Sequence, residues 1–161
     1  SLYYREVSSV FNTDQLLHKK GSEMGAKPVN KIAVILDPTL EKWQILNVTS
    51  FLISGITHQN PSLIGDNYED GQGNIYLPLL GQPVMVYSAD RDKFIEILEK
   101  CHAREIHPAI FARGMFSTSN DLDNRNIVKN VDAKDLDLVG LALCSNRNKV
   151  DKIVKGCALF K

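Results

Sequence analysis

"KIAVILD", Lys31 to Asp37, is the stretch on which the fold turns. Its apolar residues run without interruption from Ile32 to Leu36 and are rich in β-branched types. A run this short and continuous is the pattern of a strand buried on both faces. The period then changes. Asp37 can cap, Pro38 suits a first helical turn, and Leu40, Trp43, Ile45, Leu46, Phe51, Leu52 and Ile53 supply a wide apolar face up to Gly55. A buried strand feeding an amphipathic helix is the opening of an α/β domain.

The same alternation recurs downstream. "PVMVYSAD" (83–90) repeats the strand pattern, and Asp90 caps a helix whose Phe94, Ile97, Leu98 and Cys101 fall at helical spacing. "HPAIFAR" (107–113) reads as a third strand, followed by a helix from about Asp121 to Val128. "DLDLVGLALC" (135–144) is a fourth, with "NRNKVDKIVKG" (146–156) a last helix stopped by Gly156. The expected architecture is therefore a three-layer α/β/α domain with a four-stranded mixed sheet. One segment departs from the alternation: residues 60–83, dense in Gly, Pro, Asn and Asp, read as loop and hairpin around Ile75 to Leu77.

The chain divides into an N-terminal arm (1–30), with a short helix expected around Leu16 and Leu17, and a single domain (31–161). Tyr3, Tyr4, Val7, Val10 and Phe11 are too apolar for a free tail and are expected to pack on the domain or on a second subunit. At 161 residues and 43% hydrophobic, the chain suits one core. Nineteen basic and nineteen acidic side chains cancel, so no global field favours a polyanion and any phosphate contact must be local. Cys101, Cys144 and Cys157 are widely spaced, form no CxxC, and read as buried thiols rather than disulfide or metal ligands. With neither a membrane-length apolar run nor the apolar core of a secretory signal, a cytoplasmic protein without membrane contact is expected.

In α/β sheets, ligands gather beyond the carboxyl ends of the strands, where loops and helix starts converge. That edge would collect Asp37 to Gln44, Ser88 to Arg91 and Arg113 to Arg125, and Ser145 to Lys149 only if the last strand runs parallel. In "ARGMFSTSNDLDNR" (112–125), Thr118 with Asp121 forms a short-armed capping box. Capping explains that pair, whereas Arg113, Asn120, Asp123, Asn124 and Arg125 exceed what one helix start requires; capping and a ligand site both stand. Lys42, Gln44, Arg113, Asn120 and Arg125 are the candidate ligand-binding residues, since amides, a cation and guanidinium forks suit phosphate or carboxylate. Trp43 reads as core packing beside solvent-facing Lys42 and Gln44, or as part of that site. Asp66, Glu69 and Asp70 fail as a calcium loop because Leu77 stands where its bidentate Glu belongs. His18, His58, His102 and His107 show no ligand spacing, so no metal and no cofactor are expected.

Four separated segments, "LEKWQILNVTSFLISG", "IGDNYEDGQGNIYLPLLGQPV", "ARGMFSTSNDLDNR" and "DLDLVGLALCSNRNKVDKIVKG", together resemble the uncharacterised bacterial and archaeal family catalogued as domain of unknown function 2000 (DUF2000), from about Lys31 to Lys161. More distantly, the closing "LVGLALCSNRNKVDKIVKGCALF" resembles type 2 peptidyl-tRNA hydrolases, with Asp151, Lys152 and Gly156 at corresponding places. That resemblance implies the hydrolase topology, often a homodimer, and contact with tRNA by analogy of fold. Its catalytic pattern departs here: Val48 falls where a Gln is expected, Phe51 near a His, and "ARGMFST" replaces a segment that begins with aspartate. The expected function is binding of a small anionic or nucleotide-like ligand at the carboxyl edge. The alternatives are a peptidyl-tRNA hydrolase-like esterase, with Lys42 polarising the carbonyl and Asp121 orienting water, and an interaction module without a ligand. A homodimer is expected from the apolar arm together with Ile75, Tyr76, Leu77, Leu79 and Leu80.

Overall fold

The computed structural model describes residues 27–161, so the arm's expected helix and its apolar residues lie outside the described residues. In chain order the elements are β1 (Asn30–Leu36), α1 (Lys42–Gln59), a 3-10 turn (Pro61–Leu63), the hairpin strands β2 (Tyr68–Glu69) and β3 (Ile75–Tyr76), β4 (Val84–Ser88) and α2 (Arg91–Ala103). There follow β5 (Ala109–Ala112), a 3-10 turn (Arg113–Ser117), α3 (Asp121–Lys129), a 3-10 turn (Ala133–Asp135), β6 (Leu138–Asn146), α4 (Arg147–Ile153) and β7 (Ala158–Leu159).

The main sheet has the order β5-β6-β1-β4-β7. β1 is central, parallel to β4 and antiparallel to β6, and β5 lies antiparallel to β6. The sheet has five strands rather than four because Ala158 and Leu159 pair antiparallel with Ser88 and Tyr87 of β4. A two-residue strand has no period, so its partner and not its sequence makes it one.

The continuous apolar run of β1 serves two cores. Ile32, Val34 and Leu36 pack under α1 with Val48, Leu52 and Ile56, while Ala33 and Ile35 face α2 and α4 with Phe94, Ile97, Val150 and Ile153. This is the pleat's alternation written into a run with no polar residue. α1 sits so close to the sheet that a Cβ on Gly140 of β6 would lie 2.4 Å from Val48 Cγ1.

α1 starts later than Asp37 and Pro38 suggest. Asp37 instead closes a tight turn, its Oδ1 accepting from the Thr39 amide at 2.9 Å and the Thr39 hydroxyl at 2.7 Å. The helix is capped by Glu41, whose amide donates to Gln44 Oε1 at 3.0 Å in a capping box. Its apolar face is also narrower than expected: Val48, Leu52 and Ile56 are buried, whereas Trp43, Leu46 and Phe51 are exposed. Of the three thiols only Cys101 is fully buried; Cys144 and Cys157 are half-buried, and all three are free. Among the described residues no helix is long and apolar enough to cross a membrane.

Candidate functional site

The sheet directions decide which loops meet. β1, β4 and β5 run the same way, so Asp37, Ala89–Asp90 and Arg113 emerge at one edge, beside the start of β6. β6 runs against β1, with Asn146 opposite Asn30, which carries Ser145 to Lys149 to the far edge and out of any shared site.

At the carboxyl edge Arg113 is held between two carboxylates. Its Nη2 donates to Asp37 Oδ2 and its Nε to Asp137 Oδ2, each at 3.1 Å. Its amide donates to the Asp137 carbonyl at 2.9 Å. Burial alone would push the Asp37 carboxyl up, but the Thr39 hydroxyl and amide and the Arg113 guanidinium outweigh it and hold it below the usual carboxylate range. Two carboxylates against one guanidinium leave this cluster with a local charge of minus one, which disfavours an anion at Arg113. Asp137 and Thr39 were not visible as site residues in the sequence. The alternation Leu136-Asp137-Leu138 does turn the aspartate away from the core, but not toward any named partner.

The other candidates separate. Lys42 is exposed in the first turn of α1, and Gln44 is engaged in the capping box. Asn120, not Thr118, caps α3: its Oδ1 accepts from the Asp123 amide at 2.9 Å and its Nδ2 donates to Asp123 Oδ2 at 2.8 Å. The Thr118 hydroxyl is shared between the Met115 carbonyl and Asn124 Oδ1. Arg125 pairs one turn back with Asp121 at 2.5 Å. Capping and local pairing thus account for Asn120, Asp121, Asp123 and Asn124. Arg113 and Arg125 remain as guanidinium groups, in different surroundings.

Between α1 and α3, over edge strand β5, lies an open groove of about 510 Å³. Phe51, Ile110, Phe111 and Met115 line it as an apolar surface, and Asp121, Asn124, Arg125 and Lys129 form its polar side. Its charged rim sums to plus one: Arg125 and Lys129 against Asp121. Four aromatic rings run from the edge into this groove. Trp43 meets Phe116 edge-on at 5.9 Å, Phe116 lies 5.1 Å from Phe111, and Phe111 meets Phe51 edge-on at 5.9 Å. Trp43 is 60% exposed, so it is not the core residue expected from a lone helical aromatic. Its neighbour Phe116 comes from a turn far along the chain, which no spacing rule connects to it.

A second cleft of about 430 Å³ opens at the same edge between Pro38, Ser88, Lys93 and Cys157. Asp90, Asp92 and Glu96 outnumber its single lysine, whose Nζ is already held by Glu96 and the Lys155 carbonyl at 3.1 and 2.9 Å. Its carboxylates thus outnumber its cation, the reverse of the balance on the rim of the groove. No grouping of three or more His, Cys, Asp or Glu side chains able to hold a metal ion occurs among the described residues.

The family model of DUF2000, a protein of unknown function, matches residues 30–161. A search of the curated proteins finds no match. Among solved structures, a protein of unknown function from Agrobacterium tumefaciens strain C58 is similar, with 40% identity and a TM-score of 0.82. The match covers 84% of this chain and 100% of that one.

Proposed function

The chain belongs to the DUF2000 family of proteins of unknown function, and from the groove we propose that it binds a small nucleotide-like anion between α1 and α3. The observation that carries this is the pairing, in one concavity, of an apolar aromatic surface with a rim of net positive charge. A flat heterocycle would stack on the exposed ring of Phe51, over the apolar floor that Phe111 forms, and its anionic group would meet Arg125 and Lys129. β5 is the terminal strand of the sheet, so its outward backbone groups offer hydrogen bonds to the rim of such a ring. This keeps Arg125 from the sequence-derived set as a ligand contact. Arg113, with Asp37 and Asp137, becomes the brace that ties three loops together.

The test is thermal unfolding with AMP, ATP, adenosine and inorganic phosphate. A nucleotide at about a hundred times its Kd stabilises the fold by about 2.7 kcal/mol. The expected result is a rise in Tm with nucleotides. It should be lost in Arg125→Glu/Lys129→Glu, reduced in Phe51→Ala, and retained in Arg113→Ala. No rise with any compound, or one indifferent to the double charge reversal, refutes the reading.

The finer assignment of the scaffold to the type 2 peptidyl-tRNA hydrolase kind belongs to the same proposal. It is supported by the helices on both faces of the mixed sheet and by the strand, turn and helix at 138–153. The carboxylates that Asp37 and Asp137 bring to Arg113 favour a second reading, hydrolysis of an aminoacyl ester at the edge. N-blocked aminoacyl-tRNA decides it: release no faster than in buffer at high protein concentration removes it.

A further inference from the structure

Resting on the reading of the groove given above, we propose that its ligand carries a single phosphate: a nucleoside monophosphate, with the phosphate between Arg125 and Lys129 and with Asp121 turning away a second one. The positions of the charges carry this. α1 holds no Asp, Glu, Lys or Arg after Lys42, and β5 holds none from Ala109 to Ala112. Arg113, just beyond β5, is already answered by Asp37 and Asp137. Among the described residues, every charge that lines the groove therefore belongs to α3.

On α3 those charges form one ladder. Asp121, Arg125 and Lys129 follow one another at intervals of four residues, so they share a face and stand about 6 Å apart along the helix axis. Two cations at that spacing can close on one phosphate, whose charge of about −1.5 to −2 at neutral pH they match. The pair between Arg125 and Asp121 is an exposed contact of the weakly held i, i+4 kind, so the guanidinium can turn from it toward a ligand.

A second phosphate has no such place. Toward the start of α3 it meets the Asp121 carboxylate, which is 76% exposed. Beyond Lys129 it meets the last carbonyls of the helix, the negative end of its dipole. The amides at the start of α3 are no cradle for a polyphosphate either. Asn120 Oδ1 accepts the Asp123 amide at 2.9 Å, and Asp121 and Asp123 stand in the first turn. Asp123 does not line the groove, and its Oδ2 accepts from Asn120 Nδ2 at 2.8 Å. The acid that repels a second phosphate suits the rest of a nucleoside, because its carboxylate accepts hydrogen bonds from sugar hydroxyls.

The test is isothermal titration calorimetry of the full chain with adenosine, AMP, ADP and ATP. AMP should bind about tenfold or more tightly than adenosine, with ADP and ATP within about threefold of AMP. Lys129→Ala should bring AMP down to the affinity of adenosine and leave adenosine itself unchanged, while Lys129→Arg keeps the preference. Asp121→Asn, at an exposed position, should raise the affinity for ATP over that for AMP by about threefold; a merely structural Asp121 would move both alike. An affinity that climbs about tenfold from AMP to ATP, or an ATP-to-AMP ratio unmoved by Asp121→Asn, overturns the single-phosphate inference and leaves the groove reading in place. Absence of binding by all four compounds refutes the groove reading, and this inference with it.

Discussion

Gly140→Ala isolates the contact that sets α1, and with it one wall of the groove. An added Cβ lies 2.4 Å from Val48 Cγ1, 3.0 Å from Leu52 Cδ1 and 3.6 Å from Leu36 Cδ2. Carbon atoms rest at about 3.5–4.0 Å, so the Val48 methyl must retreat by about 1 Å or more. It has little freedom to do so. Val48 is fully buried, and a valine in a helix has one strongly preferred rotamer, so the helix itself must lift from β6. Overpacking of this kind costs about 1–3 kcal/mol. The opposing gain, from a less flexible unfolded chain, is about 0.4–1 kcal/mol. The clash should win, by roughly 1–2 kcal/mol at mid-range, lowering Tm by about 2–8 °C for a domain of this size. Urea unfolding followed by far-UV circular dichroism measures it, with an unchanged m-value showing that the surface exposed on unfolding is the same in both proteins. In the Gly140→Ala background, Val48→Ala should cost less than it does alone, with a coupling of about 1 kcal/mol. A Gly140→Ala protein as stable as the parent, or additive behaviour of the two substitutions, would refute the claim that α1 rests directly on this glycine.

Asp37→Asn should lower stability near neutrality and match the parent in acid. The Asp37 carboxyl is depressed in the fold, so its contribution is present above about pH 4 and disappears as pH falls through the folded value; Tm from pH 2.5 to 7 gives the comparison. Lys31 is 9% exposed and pairs with Asp151 at 2.6 Å, so Asp151→Ala should destabilise by about 1–2 kcal/mol, less than a fully enclosed pair because Asp151 is half exposed. Lys31→Met in that background should recover most of the loss in urea titrations. Burial pushes the Cys101 thiol up to about 11, so a thiol reagent at pH 8 should modify Cys144 and Cys157 well before Cys101, as read by peptide mass spectrometry.

What the sequence determined by itself is what depends on neighbours along the chain. Ile32 to Leu36 read as a strand buried on both sides from their short length and β-branched content. Phe94, Ile97, Leu98 and Cys101 could only be the inner face of a helix, because burial imposes a period that can be counted. Asp90 capping α2, its Oδ1 accepting the Lys93 amide at 2.9 Å, is equally local. The tertiary structure decided everything that depends on distant segments. Leu159 becomes a strand only because Tyr87 lies opposite it. Trp43 and Phe51, indistinguishable in the sequence from core residues, stay exposed, meeting only the edges of Phe116 and Phe111 from distant segments, and Phe51 lines the groove. Arg113, read as an anion receptor, is neutralised by Asp37 and Asp137, which are 76 and 24 residues away in the chain. Electrostatic pairing acts through space and leaves no period behind, so the charge of a site emerges only when the strands that carry its members are set side by side.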